Sequence, residues 1–249
     1  MFGIREIPFL HQIRAKFLFN KDLAEIKKQL ATQNDFQISK IFPFIYDRFD
    51  SSGSASGHYF HQDLWVARRI FESSPKKHID IGSRIDGFVA HVASFRTIEI
   101  LDIRPLENKL KNIEFKQADL MNPQGKLLNY CDSISCLHAI EHFGLGRYGD
   151  TIDIHGHLKG LENIYKILQK NGKFYFSTPI GEQRIEFNAH RVFSMAYLLK
   201  IFEGKYQIDR FCYVNDLGNL IEDALLSPEN IKNNFACIYG CGIFEMTKL

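Results

Sequence analysis

Residues 138–157 read HAIEHFGLGRYGDTIDIHGH and crowd titratable side chains into one connection. His138, Glu141, His142, Asp153, His155 and His157 fall there, with Arg147 and Tyr148 between them. Farther on, the stretch FNAHRVF adds His190 and Arg191. Imidazole titrates near pH ~6.5 and suits proton transfer at neutral pH. Arginine and tyrosine suit a phosphate or carboxylate on a bound molecule. His138-Ala139-Ile140-Glu141-His142 also fits H-x-x-E-H, the pattern of inverted zinc peptidases. That chemistry needs one helix with both imidazoles on one face, four residues apart. Here YCDSISCL reads as strand up to His138, so a helix starts too late. A non-peptidase metal site on His142, Asp153, His155 or His157 is a further alternative, and no metal ligand is assigned.

The elements that must position these groups begin at HIDIGSRIDGFVAHV, residues 78–92. His78–Ile81 is a short apolar strand signal broken at Gly82, and Gly87-Phe88-Val89 resumes with helical spacing. Strand, glycine turn and helix form the βα unit that receives nucleotide-like ligands at the end of a parallel strand. Gly82 lets the backbone turn sharply. Asp80 is placed to accept from loop amides or from a cationic ligand group. Arg84 stands where a second glycine of GxGxxG belongs. TIEILDIRP (97–105) is the second strand, and Asp102 lies about twenty residues past Gly82. That spacing suits a carboxylate gripping a ribose diol. NIEFKQAD (112–119), YCDSISCL (130–137) and KFYFSTP (173–179) supply strands three to five.

Helices are expected at 59–71, with Phe60, Leu64, Ala67 and Phe71 on one face, at 156–169 and at 194–203. YQIDRFCYV (206–214) and NFACIYGCGIFEM (234–246) close the chain as an adjacent strand pair. The fold class is α/β: a doubly wound, mostly parallel seven-stranded sheet with an antiparallel edge. Residues 1–57 read as an N-terminal helical extension, with an amphipathic helix from Asp22 to Leu30 and a small-residue loop, DSSGSASG. That loop suits a linker or a substrate gate. Residues 58–249 read as the Rossmann-like domain.

With 45% apolar and 24% charged residues and a formal charge of +2, composition points to a soluble globular protein. No basic, aromatic-interleaved stripe points to nucleic acid. No run of about 18 apolar residues points to a membrane span. Five cysteines, without a CxxC pair, point to a reducing cytoplasm and buried structural thiols.

The order of DIGSRIDG (80–87), ILDIR (100–104), QADLM (117–121), CDSISCLHAIEH (131–142) and GKFYFSTP (172–179) resembles the class I S-adenosylmethionine (SAM) dependent methyltransferases over residues 78–246. LHAIEHFGLGRYGD (137–150) looks like a little-characterised bacterial methyltransferase-like subfamily, often associated with surface polysaccharide synthesis. The resemblance implies that Asp80, Gly82, Ser83 and Gly87 form the methionine-side loop. It implies that Asp102 holds the ribose and Asp119 meets the adenine, with Ile103, Leu120 and Leu137 among the cofactor-binding residues. Methyl transfer to oxygen then needs a base above the fourth and fifth strands. His138 is the first candidate and His190 the second, with Glu141 beside them. His142, Arg147, Tyr148 and Arg191 are expected to hold a sugar or other small polar acceptor. No N/D-P-P-Y-like tetrad follows strand four, where CLHA stands. The alternatives are a methyltransferase-fold binding module blocked by Arg84, and a metal-dependent hydrolase built on His138, Glu141 and His142.

Overall fold

The computed structural model describes residues 9–33, 35–122 and 127–249. The chain divides into two compact units, one ending at Ser54 and one running from Ala55 to Leu249. In the first unit, α1 (Phe9–Leu30) is a single 22-residue helix, longer than the segment expected from Asp22. The expectation for residues 1–8 lies outside the described residues. Residues 50–57 carry no helix or strand.

The second unit opens with α2 (His58–Ser73) and β1 (His78–Ile81). An irregular turn, Ile85–Val89, leads into the short α3 (Ala90–Ala93). Then come β2 (Ile98–Asp102), β3 (Ile113–Gln117), β4 (Cys131–Leu137), α4 (Gly156–Ile167) and β5 (Leu168–Ile180). A hairpin of β6 (Arg184–Glu186) and β7 (His190–Val192) precedes α5 (Met195–Phe202). The chain ends with β8 (Tyr206–Val214), β9 (Leu220–Ile221), α6 (Pro228–Lys232) and β10 (Gly240–Lys248).

The main sheet has the order β3-β2-β1-β4-β5-β10-β8-β9. Pairings among the first five strands are parallel, and β10 runs antiparallel to both β5 and β8. The doubly wound, mostly parallel sheet is therefore present, with two-residue β9 added at the edge. The chain winds outward in opposite directions from β1 and β4. That reversal opens a crevice beyond their carboxyl ends.

Strand alternation builds a core on each face of the sheet. Ile79, Ile81, Ile134, Phe174, Phe176, Phe244 and Met246 pack on one side with Leu161 and Ile164 of α4 and Leu198 and Phe202 of α5. Tyr175, Cys241 and Ile243 face the other way, against Trp65, Val66 and Ile70 of α2. The face of α2 turned inward differs from the expected one. Phe60, Leu64 and Phe71 are exposed, while Gln62 and Asp63 are buried beside Trp65, Val66, Ala67 and Ile70. Hydrophobic periodicity misleads here because two polar residues of the buried face line a cavity.

Candidate functional site

A cavity of about 630 Å³ lies at the carboxyl ends of the parallel strands. That is the size of a small-molecule site. Its lining gathers Gly82 and Ser83 after β1, Asp102 and Ile103 after β2, Asp119 and Leu120 after β3, and Leu137, His138, Glu141 and His142 after β4. Arg147, Tyr148 and His190 close one end, and Tyr59, Gln62, Asp63 and Tyr239 complete it. Five stretches singled out in the sequence, at 82–83, 102–103, 119–120, 137–148 and 190, thus meet at one cavity. Asp80, Gly87 and Arg191 do not line it.

Asp80 lies beneath the turn. Its carboxylate accepts from Ser83 N (2.9 Å), Ser83 Oγ (2.8 Å) and Ser135 Oγ, so it fixes the loop instead of meeting a ligand. Burial pushes its pKa up to about 6, against those hydrogen bonds. Ser135 donates to Asp80 and is left to accept from His78 Nε2 (3.1 Å); His78 Nδ1 then accepts from Ser133 Oγ (2.8 Å). This buried chain of groups is fully paired and holds β1 against β4.

Gly82 has φ +68°, a left-handed conformation that suits glycine. Gly87 leaves room for a neighbouring carboxylate. A Cβ there would stand 2.6 Å from Asp63 Oδ2. Burial raises the Asp63 pKa, and its described hydrogen bond comes from the neighbouring Gln62 amide (3.0 Å). Arg84 does not fill the crevice: its guanidinium pairs with Asp86 (2.8 Å), and its side chain is 59% exposed at the cavity edge.

Asp102 carries a partner that the sequence reading did not foresee. Arg104 grips both carboxylate oxygens, Nη2 to Oδ2 at 2.6 Å and Nε to Oδ1 at 3.1 Å, and its guanidinium lies 4.5 Å from the centre of the Tyr148 ring. Asp119, just past β3 on the strand next to that of Asp102, accepts from Met121 N (2.8 Å).

The connection after β4 is not a helix through His138. That residue has φ +48°, and only a single 3-10 turn forms at Ile140–His142. The H-x-x-E-H geometry is therefore absent: Glu141 sits between the two imidazoles, 2.8 Å from His138 Nδ1 and 3.8 Å from His142 Nε2. Burial disfavours a charged His138, but Cys241 and Glu141 beside it win and its pKa stands well above 6.5. Burial likewise opposes a charged Glu141, and His138 holds its pKa down.

His142 is tuned the other way. Its Nδ1 lies 2.7 Å from the Ala189 carbonyl, which can only accept, so Nδ1 carries the proton and Nε2 keeps a lone pair. Desolvation lowers its pKa, and the ring is neutral at pH ~7. Arg147 donates to the same carbonyl at 2.9 Å, and Tyr148 packs edge-on to the imidazole. His190 Nε2 lies 3.2 Å from Glu186 without the alignment of a hydrogen bond.

Arg191 corrects an expectation. It is buried and donates to the carbonyls of Phe143 (2.6 Å), Glu141 (3.3 Å) and Ile154 (3.3 Å), pinning the connection from behind. Asp153 pairs with Lys159, and buried His157 lies 2.7 Å from Tyr197 Oη; with His155, both fall outside the cavity lining. All five cysteines are free and buried. Among the described residues, no helix is long and apolar enough to cross a membrane. Sequence reasoning missed Tyr59, Gln62, Asp63 and Tyr239, whose positions depend on long-range packing, and Arg104, which folds back onto Asp102 two residues before it.

A family model described as "Caenorhabditis protein of unknown function, DUF268" matches residues 87–234. No curated protein matches the sequence. Solved structures share the fold at low identity. The N-methyltransferase NodS from Bradyrhizobium japonicum WM9, in complex with S-adenosyl-L-homocysteine (SAH), is 12% identical, with a TM-score of 0.51 over 85% of this chain and 94% of that one. A Burkholderia thailandensis 1,6-didemethyltoxoflavin-N1-methyltransferase, with bound 1,6-didemethyltoxoflavin and SAH, is 13% identical, with a TM-score of 0.52 over 77% and 83%. The [4+2]-cyclase SpnF is 12% identical, with a TM-score of 0.52 over 86% and 85%.

Proposed function

The chain belongs to the DUF268 family, and we propose that its α/β domain is a SAM-dependent methyltransferase acting on an oxygen of a small polar acceptor. A sugar of a surface polysaccharide precursor is the acceptor class that the sequence resemblance favours. One observation carries the reading. The Gly82 turn and the Asp102 carboxylate stand on two walls of one cavity at the reversal of strand order. Similar folds crystallised with SAH add support.

The residues present suit that cofactor. Asp63, a buried carboxylate on the cavity wall, is placed for an ammonium group, and Arg84 at the edge for a carboxylate. Asp102 takes a ribose diol if the half-exposed Arg104 guanidinium swings aside. Ile103 and Leu120 offer apolar walls, and Asp119 an acceptor for an amino group. The sulfonium supplies a methyl group to a nucleophile. The chain's own task is to align that nucleophile and take its proton.

His142 fits that task better than His138. His138 spends Nδ1 on Glu141, whereas His142 presents a lone pair at Nε2 with Glu141 close enough to stabilise the imidazolium that forms. His190 stands at the same end of the cavity. Arg147 and Tyr148 are placed to hold an anionic or hydroxylated acceptor.

Calorimetry with SAM and SAH tests the assignment. Wild type is expected to bind both. Asp102→Ala is expected to lose about 1.5–3 kcal/mol, roughly 10- to 150-fold in affinity, with the fold intact. A folded wild-type protein that takes neither ligand rules the proposal out. The cyclase on the same fold keeps a second reading open, ligand binding without methyl transfer. Incubation with methyl-labelled SAM and fractionated nucleotide sugars separates the two, since only the first labels an acceptor.

A further inference from the structure

Behind one wall of the cavity three ligand-bearing side chains converge from distant parts of the chain. They are His58 at the start of α2, His138 at the end of β4 and Cys241 in β10. One nitrogen of each imidazole and the Cys241 sulfur all lie within 4.8 Å of one another. The two rings stack at 5.2 Å, only 12° from parallel. Tetrahedral zinc with bonds of about 2.1 Å to nitrogen and 2.3 Å to sulfur holds its donors roughly 3.4–3.8 Å apart. A contraction of about 1 Å, within the reach of side-chain torsions, would close the set.

Two further features point to a cation. His138 Nε2 is buried without a hydrogen-bond partner among the described residues, and its side chain is only 4% exposed. Such an orphan is costly unless something engages it, and a cation would displace its proton and take the freed lone pair. Its other nitrogen, Nδ1, is held by Glu141 at 2.8 Å. A carboxylate on the far nitrogen is the arrangement that fixes the tautomer of a metal-binding histidine.

We propose that His58, His138 and Cys241 bind a borderline-soft divalent cation of the zinc class, with Glu141 as the positioning residue behind His138. Thiolate and imidazole together select zinc-like ions over magnesium or calcium. Three protein ligands leave one tetrahedral position for water or an acceptor atom. The site borders the cavity, since His138 lines it and Tyr59, Gln62 and Tyr239 around the cluster line it too. It ties the entrance of α2 to the strand ends that form the cavity floor. Where the fourth ligand comes from the acceptor, the inference rests on the proposed function; metal binding itself does not.

The test uses the full chain, stripped with chelator and reloaded with Zn2+ or Co2+. Elemental analysis is expected to find one Zn2+ per chain. The Co2+ form is expected to show a thiolate-to-cobalt absorption band and visible bands of tetrahedral intensity. Cys241→Ser is expected to lose the thiolate band, and Cys237→Ser to keep it. His58→Ala, at a partly exposed helix start that should fold, is expected to weaken binding by at least about 100-fold. That is the upper range for removing a mere supporting partner, and Glu141→Gln should fall within about 10- to 100-fold. A folded wild type that takes up no Zn2+ or Co2+ overturns the proposal. So does a folded Cys241→Ser or His58→Ala that holds metal as wild type does. SAM calorimetry on the same samples separates this outcome from failure of the methyltransferase reading.

Discussion

At the scale of single residues, the proposed chemistry turns on which nitrogen of His142 carries the proton. The Ala189 carbonyl decides it, and Ala189 stands 47 positions along the chain. A base must be neutral before it accepts. Burial lowers the His142 pKa below its ordinary 6.5, so the neutral form dominates at pH ~7 and is lost only as pH falls through the lowered value. The acid limb of kcat/KM, which reports the free enzyme, is therefore expected below pH 6.5. His142→Gln is expected to cut kcat by about 10²–10⁴-fold while SAM affinity holds. A limb at or above 6.5 rules His142 out, and wild-type turnover in the variant moves the base to another residue of the cavity. The sequence could nominate the histidine-rich connection, because residue type and strand position are local facts. It could not rank His138 against His142, because the carbonyl that fixes the His142 tautomer comes from the β6–β7 hairpin and the Cys241 thiol beside His138 comes from β10. Arg104 shows the same limit. Its sequence places it two residues past Asp102, but nothing local says that it closes over both carboxylate oxygens.

At the scale of elements, the connection from β4 to α4 holds its shape through ties from outside it. Asp150 accepts from Gly144 N (2.7 Å) and Gly146 N (3.2 Å), and Arg191 caps carbonyls at both ends. Gly144 must stay without a side chain, since a Cβ would meet the Asp153 carbonyl at 2.0 Å. Arg191→Met keeps the bulk and removes the donors. It should leave buried carbonyls unpaired, at about 1–3 kcal/mol, and lower the melting temperature by roughly 3–10 °C. Acceptor KM should rise as His142 and Arg147 lose their support. SAM affinity, set by the Gly82 and Asp102 walls, should not change. Native melting with weakened acceptor binding alone would return Arg191 to the acceptor contact first expected of it. The strands and glycine turn were legible because β-branched runs broken by glycine are strong local signals. The inward face of α2 was not, because Gln62 and Asp63 are buried for the sake of the cavity, against the helix's apolar pattern.

At the scale of the whole molecule, buried neutral histidines couple folding to acidity. His78 lies within the sheet, and burial pushes its pKa down to about 3; His157 lies under α4, with burial pushing it to about 4. In the unfolded chain both titrate near 6.5. The unfolded state therefore binds more protons below pH ~6.5, and stability falls as pH drops from there towards the folded values. At pH ~5 each histidine is expected to cost about 2 kcal/mol relative to neutral pH. Asp80 works in the opposite sense. Its pKa is about 6 in the folded chain, above its ordinary 3.8, so its protonation recovers stability over that window. The recovery at pH ~5 is about 1.4 kcal/mol, which leaves a net loss near 2–3 kcal/mol from these three groups. Denaturant unfolding at pH ~7.5 and ~5 measures that difference together with the contribution of His58, which burial also pushes down to about 4. His78→Gln, which can still hydrogen-bond Ser133 and Ser135, should shrink it by about 2 kcal/mol even if it lowers stability at both pH values. An unchanged difference in that variant would mean that the sheet admits the charged imidazole, and that the serine pair on β4 solvates His78 well enough to cancel its burial.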